Sequence, residues 1–126
     1  MGSQARILLV DDDPDFVEAT KAILETKPFE VIVAYDGKEG LEKARRENPD
    51  VIILDVMMPP PDGYAVCSEL KRDSRYKRIP ILLLTAVMQA LPHTLYTIEM
   101  GLRTEADDYI DKPIEPAELV RRIETL

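Results

Sequence analysis

A small set of side chains able to hold a metal, attack an electrophile or donate a proton stands directly after short apolar runs. Asp11, Asp12 and Asp13 follow Ile7-Leu8-Leu9-Val10, and Asp55 follows Val51-Ile52-Ile53-Leu54. Thr85 follows Ile81-Leu82-Leu83-Leu84, and Lys112 comes after a weaker run at Tyr109-Ile110. Carboxylates brought close together repel one another, and a hard divalent cation relieves the repulsion. Mg²⁺ takes a few oxygen ligands together with water and phosphate oxygens, so a small acidic cluster suits it. A carboxylate such as Asp55 can attack phosphorus and form an acyl phosphate. The rest of that chemistry is positioning and charge neutralisation: a cation on one side, the Lys112 ammonium on another, and the Thr85 hydroxyl donating to a phosphoryl oxygen. Taken singly, each residue has a plainer role. Asp13 before Pro14 reads as a helix cap, a strand-end Asp as a turn residue, Thr85 as a hydroxyl bonding backbone, and Lys112 as a surface lysine. The chemistry therefore depends on the elements that bring them together.

The four strong apolar runs, which include Val31-Ile32-Val33-Ala34, are continuous rather than alternating, the pattern of strands buried on both faces. Helical patterns lie between them. Phe16, Ala19, Thr20, Ile23 and Leu24 recur at helical spacing, with Asp13-Pro14 as N-cap and first residue. Asp36 with Glu39 opens a second helix through Leu41 and Ala44, and Asp62-Gly63 opens a third with Val66, Cys67 and Leu70 inward. A fourth is expected within 88–101, and Glu115-Pro116 starts a fifth with Leu119, Val120 and Ile123 inward. Strand and helix alternate five times. That order predicts a single α/β domain over 4–126, a parallel sheet with helices on both faces, whose ligands bind beyond the carboxyl ends of the strands.

Composition narrows the function classes. The net charge of −8 disfavours contact with phosphate backbones, so direct nucleic-acid binding is not expected. Cys67 is the only cysteine, which rules out an internal disulfide and fits a reducing compartment. No apolar run approaches the roughly 20 residues that span a bilayer, and Met1-Gly2-Ser3-Gln4 lacks the features of a signal peptide. A cytoplasmic domain without membrane contact is the expectation.

Val10-Asp11-Asp12, Leu54-Asp55-Val56-Met57-Met58-Pro59 with Asp62-Gly63, Leu84-Thr85-Ala86 and Tyr109-Ile110-Asp111-Lys112-Pro113 resemble, in order, the signature blocks of two-component response-regulator receiver domains. The resemblance covers essentially the whole chain. It implies a flavodoxin-like, CheY-like fold with strand order 2-1-3-4-5. It implies Asp55 as phosphoacceptor and Mg²⁺ (or Mn²⁺) bound by Asp12, Asp55, the backbone carbonyl of Met57 and, through water, Asp11. Lys112 would be the ion partner of Asp55 and later of the phosphoryl group, and Thr85 and Tyr109 the switch pair. A cis peptide between Lys112 and Pro113 is implied as well. The donor would be a phosphohistidine on a histidine kinase or phosphotransfer protein. His93 sits in no kinase-like pattern, so this chain is the receiver. Beyond its own phosphorylation and dephosphorylation it would not be an enzyme. Its output would be partner binding or homodimerisation through the face of the fourth helix, fifth strand and fifth helix.

The chain departs from the family in a few places. Leu102-Arg103-Thr104-Glu105 reads as a small insertion, Ala90-Leu91-Pro92 as a late start to the fourth helix, and Pro59-Pro60-Pro61 as a stiffened loop beside Asp55. The resemblance also implies that the residues two positions beyond Asp55 and Thr85 influence attack of water on the acyl phosphate; here these are Met57 and Val87, whose side chains cannot hydrogen-bond that water, so slow self-dephosphorylation is expected. Other readings fit less well. A flavodoxin would need a phosphate loop where Asp11-Asp12-Asp13 stand, and a haloacid-dehalogenase-type phosphatase would want Thr or Val where Asp15 stands. A phosphorylation-independent scaffold would have no need to combine Asp12, Asp55, Thr85 and Lys112.

Overall fold

The computed structural model describes residues 5–85 and 106–126. Five strands form one parallel sheet: β1 (Ala5–Val10), β2 (Phe29–Ala34), β3 (Val51–Asp55), β4 (Ile81–Thr85) and β5 (Asp108–Asp111), in the order β2-β1-β3-β4-β5. This is the order and fold class expected above. The central strands β3 and β4 are buried along their whole length, while the edge strands β2 and β5 alternate with exposed positions. Continuous apolar runs thus mark the middle of the sheet. The weak run at Tyr109-Ile110 was weak because β5 is an edge strand with one covered side chain, Ile110.

Successive side chains of each strand supply opposite faces. Leu8, Val10, Ile52, Leu54, Ile81 and Leu83 join one core, which packs on α2 (Gly37–Glu47) and α3 (Gly63–Lys71) through Leu41, Ala44, Val66, Cys67 and Leu70. Ile7, Leu9, Ile53, Leu82, Leu84 and Ile110 join the other, against α1 (Pro14–Leu24) and the C-terminal helix Pro116–Glu124.

The helix starts follow local chemistry. Asp13 caps α1 by accepting from the N–H groups of Asp15 and Phe16, and Asp62 caps α3 by accepting from Ala65 N–H. Asp36 accepts from Glu39 N–H at 2.7 Å, while the Glu39 carboxylate reaches back one residue further than a standard capping box, to Tyr35 N–H. The inner face of α1 differs from the expected stripe: Val17, Thr20 and Leu24 are buried, Phe16 and Ile23 half-buried, and Ala19 exposed. The helix is rotated so that Val17 meets the sheet. Phe16, Ala19 and Ile23 instead line a groove of about 290 Å³ shared with Pro113, Ile114, Pro116 and Leu119. The expected fourth helix, the insertion at 102–105 and Val87 lie outside the described residues. The Lys112–Pro113 peptide is cis, as expected, and so is Pro60–Pro61.

One close approach positions the site. A Cβ on Gly63 would stand 2.3 Å from the Asp55 carbonyl oxygen and 2.6 Å from Val56 Cα, so the first turn of α3 packs directly on the end of β3. Gly63 N–H donates to the Val56 carbonyl across this contact. Because backbone cannot yield as a side chain would, Gly63→Ala is expected to cost about 1–3 kcal/mol of stability, read from urea unfolding. The variant should also shift the backbone resonances of Asp55 and Val56; unchanged resonances and stability would contradict the packing.

Candidate active site

The carboxyl ends of β1, β3, β4 and β5 form one cleft. Asp11 ends the β1 run with no exposed surface, and its Oδ1 accepts from Asp13 N–H, holding the turn into α1. Asp55, the last residue of β3, is 3% exposed. Asp12 is exposed at the mouth. A carboxylate oxygen from each of Asp11, Asp12 and Asp55 lies within 4.8 Å of the other two. Lys112, just beyond β5, reaches across the sheet: its Nζ donates to Asp11 Oδ2 at 2.8 Å and stands 3.6 Å from Asp55 Oδ1. The resting lysine thus leans toward Asp11, closer than to the Asp55 partner expected for it. Its ammonium also lies 4.3 Å from the centre of the Phe16 ring, a cation–π contact.

These carboxylates are under-neutralised. Burial, followed by the charge of Asp11, raises the Asp55 pKa from 3.8 to about 6, against the opposing pull of Lys112 and Met57 N–H. Burial alone would lower the Lys112 pKa. Its hydrogen bond to Asp11 and the charges of Asp55 and Asp11 outweigh that and hold it above the ordinary value. A hard cation fits such a donor set, since it supplies positive charge where oxygen ligands already converge. Among the described residues, Asp11, Asp12 and Asp55 are the side chains able to hold it. Met57 belongs to the same loop, its N–H donating to Asp55 Oδ1 at 3.3 Å while its side chain is exposed.

Thr85, 4% exposed at the end of β4, donates its hydroxyl to Asp111 Oδ1 at 2.6 Å. Tyr109, on β5, has its side chain partly in solvent, at 37% exposure. The cleft therefore gathers Asp11, Asp12, Asp55 and Lys112, with Thr85 at the tip of the strand beside β3 and Tyr109 further out on the edge strand. Sequence reading missed two contributors, Phe16 and Asp111. Phe16 was taken only as part of an apolar stripe. The role of Asp111 depends on the Thr85–Asp111 register between β4 and β5, which local pattern does not carry.

Comparison with known proteins agrees with this architecture. A sequence model described as the response regulator receiver domain matches residues 7–124. The chain is 40% identical over 121 residues to the alkaline phosphatase synthesis transcriptional regulatory protein PhoP of Bacillus subtilis, covering 96% of this chain and 48% of PhoP. It thus spans about half the length of this curated relative. Among solved structures it is similar to the receiver domain of the sensor histidine kinase PA1611 of Pseudomonas aeruginosa, which has a magnesium ion coordinated in its active-site cleft (TM-score 0.85, 32% identity, 97% and 96% of the two chains). The chemotaxis protein CheY4 of Vibrio cholerae is similar at TM-score 0.84 and 32% identity, over 97% and 98% of the two chains.

The raised pKa of Asp55 gives a stability signature. The folded protein holds the Asp55 proton more tightly than the unfolded chain, so the stability this proton contributes is present below pH 3.8 and lost as pH rises through about 6. In EDTA, the advantage of Asp55→Asn over wild type should grow across that window and level off above it, by on the order of 1–3 kcal/mol. Urea midpoints of the two proteins across this range test it; a difference independent of pH would refute the assigned burial cost.

Proposed function

The chain belongs to the response regulator receiver domains, and on that premise we propose that Asp55 accepts a phosphoryl group from a phosphohistidine on a partner kinase or phosphotransfer protein. The observation that carries this reading is the convergence of Asp11, Asp12, Asp55 and Lys112 in one cleft at the strand ends. An Asp55 carboxylate oxygen attacks phosphorus, the P–O bond forms as the bond from phosphorus to the donor imidazole nitrogen breaks, and the imidazole leaves with the electron pair.

Each residue has a task in that step. Asp55 reacts as the carboxylate, and the Lys112 ammonium beside it neutralises charge on the incoming phosphoryl oxygens. Asp11 keeps that ammonium in reach while the donor approaches. Asp11 and Asp12, with Asp55 and the Met57 carbonyl, would hold Mg²⁺ or Mn²⁺, which when bound supplies the charge compensation that lets phosphate oxygens enter an acidic cleft. Thr85 donates to a phosphoryl oxygen once it arrives, and Tyr109 moves inward with it, so phosphorylation biases two packings of one fold. The output is binding to a partner or to a second copy through the face that includes β5 and the C-terminal helix. Beyond turning over its own acyl phosphate the domain is not a catalyst, and it contacts nucleic acid only indirectly. A cytoplasmic setting follows from the reading. Among the described residues no helix is long and apolar enough to cross a membrane.

Incubation with acetyl phosphate and Mg²⁺ should add about 80 Da to the wild type, the mass of one phosphoryl group, and EDTA should abolish the gain. Asp55→Asn should remain unmodified, and Lys112→Ala should react about a hundredfold more slowly. Equal modification of wild type and Asp55→Asn would move the acceptor elsewhere. No modification of wild type, even by a phosphorylated histidine kinase, would leave a phosphorylation-independent scaffold.

A further inference from the structure

The hydroxyl of Thr85 has one proton, and the structure shows where it goes. It is donated to Asp111 Oδ1 at 2.6 Å, a short, charge-assisted contact. Thr85 and Asp111 are register partners in the parallel β4–β5 pair, and Lys112 N–H donates to the Thr85 carbonyl at 2.7 Å immediately beyond. The backbone thus holds the two side chains opposite each other. Thr85 is 4% exposed, which shields the bond from competing water, while Asp111 is exposed and keeps its charge solvated at little cost.

We propose that Asp111 is a positioning residue that latches Thr85 in the unphosphorylated state, so that a phosphoryl group on Asp55 must outcompete the Asp111 carboxylate for the Thr85 proton. This deepens the phosphoacceptor reading and rests on it. A hydroxyl donating to Asp111 cannot at the same time donate to a phosphoryl oxygen, so the two acceptors define two mutually exclusive states of one side chain. The strength of the latch then sets how far phosphorylation moves the switch, because a ligand shifts an equilibrium only by its differential interaction with the two states. Asp111 neither touches the reacting atoms nor needs to; it acts through Thr85.

Two measurements on the full chain test the latch. The first uses no phosphoryl group: three-bond couplings to the Thr85 methyl carbon report its χ1 rotamer by NMR. Wild type should show a single rotamer, Asp111→Ala rotamer averaging, and Asp111→Asn, which keeps an acceptor oxygen, a single rotamer again. A single unchanged rotamer in Asp111→Ala overturns the latch, whether or not Asp55 accepts a phosphoryl group. The second follows acetyl phosphate labelling with Mg²⁺ by intact mass. Asp111→Ala should be labelled about tenfold faster than wild type, the factor a charge-assisted hydrogen bond carries, with Asp111→Asn between them. Removing a negative charge could by itself speed labelling, so the same substitution is made in a Thr85→Val background. There the gain should vanish; a gain that survives intact belongs to charge alone and overturns the proposal.

Discussion

Two carboxylates removed from water face each other at the tips of β1 and β3, and the ammonium of Lys112 makes that arrangement tolerable. Asp11 has no exposed surface and Asp55 almost none. Left uncompensated, such a pair would carry a cost that burial of the surrounding leucines and isoleucines could not absorb locally. The compensating charge comes from 101 residues away in sequence. For Lys112 to arrive, β5 must already be docked on β4, which in turn requires β3 in the middle of the sheet. Closing the site and completing the sheet are the same event.

That compensation is partial by construction. One lysine serves two buried carboxylates beside an exposed third, leans toward Asp11, and leaves Asp55 with a raised pKa. This cleft keeps an unmet demand for positive charge, which a hard cation among the three carboxylates would meet. Beneath it lie two apolar cores whose side chains come from alternating positions of the same strands, so the demand is borne by a rigid support. The Gly63 contact with the Asp55 backbone belongs to that support, since it fixes the direction in which β3 ends.

The remaining polar contacts at the strand tips place each donor against partners from a different strand or helix. Lys112 sits among Asp11, Asp55 and the face of Phe16. Thr85 lies at the end of the strand next to Asp55 yet spends its proton on Asp111 on the other side. Away from the cleft, a second polar cluster joins the strand entries. The Lys71 ammonium bonds the Ile79 carbonyl and Asp107, and Asp107 also accepts from Ile81 N–H, pinning the entries of β4 and β5 together.

Much of this was legible from residue order. The buried strands announced themselves because continuous apolar runs are local, and Asp13, Asp36 and Asp62 announced helix starts because a cap bonds N–H groups two or three residues ahead. The rule that parallel sheets bind ligands at strand carboxyl ends then singled out Asp11, Asp12, Asp55, Thr85 and Lys112. What local pattern left open were choices between neighbours. Phe16, Val17, Ala19 and Thr20 offer overlapping stripes, and only contact with the sheet turned Val17 inward and left Phe16 to face Lys112. Likewise, Asp55 was expected as the partner of Lys112, but the closer contact of that lysine with Asp11 and the bond from Thr85 to Asp111 were not legible. A hydrogen bond is decided by a few tenths of an ångström between strands far apart in sequence, and that distance exists only once the register of β4 on β5 is set.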